Sequence, residues 1–160
     1  MAKEKSNVPE EGKKAPDFKA ASHSGDTLKL SGFKGRPVVL YFYPKDDTPG
    51  CTIEANEFQQ HLKEFQEAGA EILGVSPDSA QSHCKFRDKY GLEFTLVVDE
   101  EHAIAEKYGV WVEKNRYGRK YWGVQRATFL IDGEGRIAKS WPQVKPEGHA
   151  EEVLNTLKSL

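Results

Sequence analysis

The 160-residue chain has only two cysteines, and it has no apolar run near the roughly 20 residues that a membrane-spanning helix needs. Two thiols are too few for a disulfide-built scaffold, so any cysteine chemistry here points to catalysis or redox exchange. Lysine and arginine number 23 against 25 acidic residues, which disfavours binding to nucleic acid or to a membrane surface. Residues 1–7 are polar and lack the apolar stretch of a secretory signal, so we expect a soluble, cytoplasmic protein.

Two further absences narrow the function. No Cys-x-x-Cys motif is present, which excludes a thioredoxin-type disulfide reductase. The five histidines are dispersed, and only one of them adjoins a cysteine, so the ligand spacing of a metal site is missing. A metal-binding module is therefore disfavoured. These histidines are His23, His61, His83, His102 and His149.

The length is that of one ordinary domain. Residues 1–14 are rich in lysine and glutamate and contain Pro9 and Gly12, which predicts a flexible N-terminal arm. A single domain is then expected over residues 15–160.

Strand and helix patterns alternate along that domain. Apolar runs rich in β-branched residues predict strands, and periodic patterns of 3.6 residues predict helices. Alternating strands and helices, with a final hairpin around the turn 132–135, indicate an α/β fold, a three-layer sandwich with a mixed central sheet flanked by helices. The predicted strands are 37–43, 70–76, 94–98, 127–131 and 136–141, the helices are 51–68, 79–90, 100–108 and 147–160, and residues 113–121 are expected to be a charged loop.

Cys51 lies where the first buried strand gives way to a helix. Open α/β sheets place their sites at such junctions, and the free N–H groups of a helix N-terminus favour a thiolate, the nucleophilic form of cysteine. Pro44 and Pro49 stiffen the loop, Gly50 permits close backbone approach, and the Thr48 hydroxyl can face whatever meets the sulfur. The alternative is a buried structural cysteine beside a Pro/Gly turn.

Pro44, Thr48 and Cys51 together form a Pro-x-x-x-Thr-x-x-Cys pattern that resembles the peroxiredoxins. The segments 42–55, 74–79 and 126–132 are similar to the Q-type branch, also called bacterioferritin comigratory protein, and the resemblance runs from about Gly12 to the C-terminus. It implies a thioredoxin-like fold and an antioxidant thiol peroxidase that reduces hydrogen peroxide and organic hydroperoxides, usually with electrons from thioredoxin. It implies neither a metal nor an organic cofactor.

Residue by residue, the resemblance implies that Cys51 is the peroxidatic cysteine and that Thr48 binds the peroxide. Pro44 matches the shielding proline, Arg126 the activating arginine, and Glu54 an acidic residue that helps to hold that arginine. From the sequence alone Arg126 could equally be a solvated surface group, and Glu54 an ordinary first-turn acid favoured by the helix dipole.

The second thiol departs from the commonest family pattern. Many Q-type members carry a cysteine five residues after the first, where this chain has Asn56. Others place the resolving cysteine on the helix after the second strand, some of them one turn beyond Cys84, at the position of Arg87. Cys84 is therefore the candidate resolving cysteine, and it lies off the apolar stripe marked by Phe86 and Tyr90, which favours access over burial.

Several alternatives remain open at this point. Without a reachable Cys84, the protein would be a one-cysteine peroxidase resolved by an external thiol, or it would sense peroxide without high turnover. The aromatic and basic residues between 111 and 122 indicate a solvated segment rather than a nucleic-acid platform. The family resemblance implies a monomer or a weak dimer.

Overall fold

The computed structural model describes residues 8–160, and residues 1–7 lie outside it. In chain order the elements are β1 (Lys19–Ala21), β2 (Thr27–Lys29), a 3₁₀ turn (Leu30–Phe33), β3 (Val38–Phe42), α1 (Pro49–Gln60), α2 (Leu62–Glu67), β4 (Glu71–Ser76), α3 (Ala80–Tyr90), β5 (Thr95–Val98), α4 (Ala103–Lys107), β6 (Trp111–Arg116), β7 (Arg119–Val124), β8 (Ala127–Ile131), β9 (Ile137–Trp141) and α5 (His149–Lys158).

The central sheet has five strands in the order β5-β4-β3-β8-β9. β3, β4 and β5 run parallel through the crossovers α1–α2 and α3, whereas β8 runs antiparallel to both β3 and β9. The predicted mixed sheet is therefore confirmed. Every residue of β3 and β8 is buried, because both faces of these middle strands are covered.

The two faces of the sheet bury separate apolar cores. One core lies under α1, α2, α3 and α5, and its large side chains include Tyr41, Phe58 and Phe86. The other is closed by α4 and the segment before β3, and it includes Phe42 and Phe129. Alternate residues of β3 enter opposite cores, as the two-residue period of a strand requires, and the result is the predicted three-layer sandwich.

The predicted charged loop at 113–121 is wrong, because this segment is the antiparallel hairpin of β6 and β7. Tyr117 and Gly118 form its two-residue turn, and both have positive φ, +55° and +78°, as a type I′ hairpin turn requires. The strands carry charged side chains because most of the hairpin is exposed. Because of these charged residues, the sequence of the hairpin lacks the apolar–polar alternation by which strands are predicted.

Two other predicted boundaries differ. The helix expected over 51–68 starts earlier, at Pro49, and is divided at His61 into α1 and α2. Of the expected arm, residues 1–7 lie outside the described part, and residues 12–15 are hydrogen-bonded to the final hairpin through Gly12 N–H to Ile137 C=O and Ala15 N–H to Gly135 C=O. Ordered structure therefore begins before residue 15. Within residues 8–160 no helix has the length and apolarity to cross a bilayer.

Gly74, on β4, lies where the core has no room for a side chain. A Cβ there would lie 2.9 Å from Leu96 Cδ2 and 3.0 Å from the Tyr41 ring. We expect Gly74→Ala to lower the free energy of unfolding by about 1–3 kcal/mol, the usual cost of overpacking a core. Gly32→Ala is the matched control, because no atom lies within 4 Å of its added Cβ. Urea denaturation of both variants measures the difference, and equal stabilities would contradict the packing argument.

Candidate active site

Cys51 lies in the first turn of α1, just beyond the carboxyl end of β3. Pro49 begins the helix with a φ suited to its first position, and Thr48 is the extended N-cap residue. The first intrahelical hydrogen bond runs from Thr52 N–H to Thr48 C=O, 2.8 Å. The N–H groups of Gly50 and Cys51 precede that bond and point out of the helix end, where they can stabilise negative charge.

A cation contacts the Cys51 sulfur from the neighbouring strand. Arg126 Nη2 lies 3.4 Å from Cys51 Sγ, and Arg126 Nη1 donates to Glu54 Oε1 at 2.8 Å. Arg126 immediately precedes β8, whose first residue Ala127 pairs with Phe42 at the end of β3. The strand register therefore brings Arg126 to the loop that follows β3, and the structure brings Cys51, Glu54 and Arg126 together.

Gly50 provides the room for that cation. A Cβ at this position would lie 3.0 Å from Arg126 Nη2 and 3.5 Å from the Pro146 ring. The close backbone approach that the sequence predicts for Gly50 is thus an approach to the guanidinium. A side chain at position 50 would push Arg126 away from the sulfur.

Thr48 and Pro44 complete the loop between β3 and α1. Thr48 Oγ1 donates to Lys45 C=O at 2.8 Å, which fixes the half-buried hydroxyl and leaves its lone pairs available to accept a hydrogen bond. Pro44 is half-buried two residues after the end of β3. Cys51 itself is only 1% exposed, so a substrate meets a dry sulfur in a confined place.

Burial dominates the electrostatics around Glu54. Removal from water raises the pKa of Glu54 to about 7, although Arg126 lowers it in part. Burial opposes the charge of Arg126, but Glu54 and Cys51 outweigh it and raise the arginine pKa. Two buried polar atoms here, Glu54 Oε2 and the Tyr41 hydroxyl, have no hydrogen-bond partner among residues 8–160. Burial, with Glu54 next, raises the pKa of Tyr41 well above its usual value, so the phenol stays neutral.

Lys114 is a second cation near the site that the sequence reading missed. It extends from β6, is half-buried, and donates from Nζ to Val124 C=O at 2.5 Å. Burial and then Arg126 lower the pKa of Lys114, while Cys51 acts in the opposite direction. Val112 and Lys114 are less exposed than their neighbours Glu113 and Asn115, as alternate residues of a half-buried strand are. No signal in the sequence indicates this, because Lys114 lies among other polar residues.

Cys84 is not brought to Cys51. Both cysteines are free, and half-buried Cys84 donates from Sγ to His23 C=O at 3.1 Å. The His23 N–H donates to the Leu96 C=O on β5. In the central sheet β5 is three strands away from β8, a distance of about 14 Å. Arg126, which contacts Cys51, immediately precedes β8. A disulfide needs the two Cα atoms within about 7 Å. The segment that carries Cys51, α3, or both must therefore rearrange before the two cysteines can form a bond.

Glu54 makes stability depend on pH. Its folded-state pKa, about 7, exceeds its ordinary value of 4.5, so the folded chain holds one extra proton between these values. The stabilisation from that proton is fully present below pH 4.5 and is lost as the pH rises to about 7, in total about 3 kcal/mol. We expect the free energy of unfolding of the wild type, relative to Glu54→Gln, to fall by that amount over this range.

Urea denaturation of both proteins at several pH values measures this difference. Glu101→Gln, which removes an exposed carboxyl, serves as the background. A difference between wild type and Glu54→Gln that stays constant from pH 4.5 to 7.5 would contradict the assignment.

Comparisons with known proteins agree with this geometry. The AhpC/TSA family matches residues 11–140. Peroxiredoxin Bcp of Bacillus subtilis is 51% identical over 149 residues, covering 93% of this chain and 95% of that protein. Peroxiredoxin Bcp of Escherichia coli is 40% identical over 144 residues, covering 90% and 92%.

Solved structures of peroxiredoxins are also similar to this chain. Xanthomonas campestris peroxiredoxin Q is 44% identical, with a TM-score of 0.85 over 89% of this chain and 90% of that one. BcpB of Mycobacterium tuberculosis is 32% identical, with a TM-score of 0.83 over 94% and 97%. With its thioredoxin-like fold confirmed by these neighbours, the chain belongs to the AhpC/TSA family and, within it, to the peroxiredoxins of the Bcp or Q type.

Proposed function

We propose that this peroxidase reduces hydrogen peroxide and organic hydroperoxides through Cys51, is resolved by Cys84, and is recycled by thioredoxin or a similar dithiol. The observation that carries the proposal is the contact of Arg126 with both the Cys51 sulfur and buried Glu54. Organic substrates are supported by a Xanthomonas campestris relative, whose complex structures concern alkyl peroxide reduction.

In the first step the Cys51 thiolate attacks the terminal peroxide oxygen. An S–O bond forms, the O–O bond breaks, and the sulfur loses two electrons to become a sulfenic acid. The departing oxygen takes a proton and leaves as water or an alcohol. Stabilising that oxygen requires preorganised donors, and the Arg126 guanidinium and the first-turn N–H groups of α1 lie where they can supply them.

The other site residues act by placement. Thr48 is held by Lys45 so that its oxygen faces outward to accept a hydrogen bond from the peroxide. Glu54 fixes the direction of the Arg126 fork, and Pro44 limits the access of water. A dry pocket strengthens each of these electrostatic contacts, because the local dielectric is low.

In the second step the Cys84 sulfur attacks the sulfenic sulfur, a disulfide forms, and water leaves. Two structures of Xanthomonas campestris peroxiredoxin Q carry cysteine-to-serine changes at positions that differ by 36. Counting 36 residues from Cys51 reaches Arg87, and Cys84 lies about one helical turn before it, on the same helix. We therefore assign the same helix, with an earlier turn, to resolution here.

A dithiol then opens the disulfide by exchange and returns both cysteines to thiols. Such a cycle suits the reducing cytoplasm, where we place the protein. A monomer or weak dimer stays a prediction that sedimentation of the reduced protein would measure.

Arg126 is the first residue to test. We expect Arg126→Met to lower the second-order rate constant of Cys51 oxidation by about 10²–10³, the usual effect of losing one charge-stabilising donor. Stopped-flow measurement with hydrogen peroxide gives the rate constant. Arg119→Met removes an exposed cation from the nearby hairpin and should keep the wild-type rate. An equal loss of rate constant in the two variants would show that the oxidation of Cys51 depends on the net charge of the protein and not on the contact of Arg126 with the sulfur.

The two cysteines separate the two steps. We expect Cys51→Ser to abolish peroxide turnover, because the nucleophile is lost. Cys84→Ser should keep the first oxidation and lose recycling by thioredoxin. Mass spectrometry of the peroxide-treated wild type should find a Cys51–Cys84 bridge.

The alternatives predict other outcomes. A sulfenic or overoxidised Cys51 beside a free Cys84 would indicate a one-cysteine peroxidase that an external thiol resolves. Oxidation of Cys51 without multiple turnovers in the presence of thioredoxin would indicate a peroxide sensor.

A further inference from the structure

A buried polar network joins the loop before Cys51 to the helix that carries Cys84. Asp46, in the loop between β3 and α1, accepts hydrogen bonds from three side chains. They are the Tyr43 hydroxyl at 2.6 Å, the Ser82 hydroxyl at 2.8 Å and His83 Nδ1 at 2.8 Å. Asp46 is only 7% exposed, and His83 is fully buried. Ser82 and His83 immediately precede Cys84 in the first half of α3.

Both ring nitrogens of His83 are hydrogen-bonded. Nε2 donates to Val97 C=O at 2.9 Å, because a carbonyl can only accept, and Nδ1 lies 2.8 Å from Asp46 Oδ2. His83 and Asp46 therefore form a buried hydrogen-bonded pair.

The same carboxylate cluster could be considered as a metal site. Ligand atoms of Asp46, Asp78 and His83 all lie within 4.8 Å of one another. Each is already engaged, since Asp78 Oδ2 accepts from Asp46 N–H at 2.8 Å and from Ser76 Oγ at 2.6 Å. A metal would have to displace these bonds, so the cluster is better explained by its connection of loop and helix.

Unwinding α3 while the loop before Cys51 stays closed would break the hydrogen bonds of Asp46 to that helix. If the first turns of α3 unwound, Asp46 would lose Ser82 and His83 and keep only Tyr43 while still buried. A buried charge without its partner is strongly unfavourable. The loop would therefore have to move with the helix, bringing Asp46 to water.

We propose that the Asp46–His83 pair is a latch that makes the loop of residues 44–48 and the first half of α3 open as one unit, releasing Cys51 and Cys84 together. The relevance to catalysis rests on the proposed resolving role of Cys84. Asp46 and His83 are positioning residues in this scheme: they touch no substrate, and they set how often the two sulfurs can meet.

A second, exposed connection between the same elements provides the matched control. Asp47 accepts from Lys89 Nζ at 2.8 Å and from the Tyr90 hydroxyl at 2.7 Å, both on α3. All three side chains are solvent-accessible, so water replaces these contacts readily. Asp47 has φ +60°, which asparagine tolerates well, so Asp47→Asn adds no backbone strain.

Hydrogen exchange of the reduced protein tests the coupling without any peroxide. Asp46→Asn replaces the carboxyl by an amide, which weakens the hydrogen bonds to Ser82 and His83. We expect exchange to speed up about tenfold in Asp46→Asn, by the same factor in residues 45–52 and in residues 80–85. Asp47→Asn should leave both segments close to wild type. Faster exchange in the helix alone, or equal effects of the two aspartate variants, would overturn the proposal.

Two substitutions at position 83 separate coupling from helix stability. Glutamine can place an amide where Nε2 lay and keep the bond to Val97, whereas asparagine can keep the bond to Asp46. We expect His83→Gln to resemble Asp46→Asn in both segments. His83→Asn keeps the latch and loses only the bond to Val97, so exchange should speed up by one common factor in residues 45–52 and in residues 80–85. Faster exchange of residues 80–85 alone in His83→Asn would contradict a latch at Asp46.

The catalytic consequence is measured in a single turnover. After rapid oxidation of Cys51, the bridge to Cys84 should form about tenfold faster in Asp46→Asn than in wild type or Asp47→Asn, and less Cys51 should be overoxidised at high peroxide. An unchanged rate in a folded variant would contradict the proposal. If the wild type forms no bridge, the resolving role of Cys84 fails, and the exchange data still decide whether the latch exists.

Discussion

The contact of Arg126 with the Cys51 sulfur is the interaction on which the site depends. The guanidinium lies 3.4 Å from the sulfur, and Glu54 holds it there by accepting from its other nitrogen. The residues that surround this contact are the ones that it requires. Gly50 lacks a side chain because the guanidinium fills that space, and Glu54 is accepted in the core because it pairs with this cation.

The topology of the sheet brings the remote parts of the site to one edge. The parallel strands β3 and β4 end where the loop before Cys51 and the start of α3 begin, while antiparallel β8 starts there with Arg126 just before it. Ligand sites form at the carboxyl ends of strands in open α/β sheets. Here the antiparallel strand adds a cation that two parallel neighbours could not supply from their carboxyl ends.

The mixed sheet and the place of Cys51 at a strand–helix junction could be predicted from the sequence, because strand, helix cap and thiol are neighbours in the chain. Arg126 lies 75 positions from Cys51, and no local pattern distinguishes it from a surface arginine, so only the family resemblance singled it out. Lys114 was hidden by the charges of an exposed hairpin. Asp46 and His83 were missed for a related reason: charged residues 37 positions apart are expected at the surface, and their pairing exists only after β4 and α3 have packed.

Two requirements of one catalytic cycle oppose each other in this fold. Attack on a peroxide needs a dry, rigid sulfur, and Cys51 is 1% exposed between fixed donors, whereas the proposed resolution by Cys84 needs that sulfur to leave its place. A partly opened arrangement would leave buried polar groups partly paired. Its free energy would be higher than that of either the closed or the open form. Because Asp46, Glu54, His83 and Arg126 are all paired in the closed arrangement, intermediate arrangements are disfavoured. Buried pairs of modest net stability can thus give a sharp transition between closed and open forms.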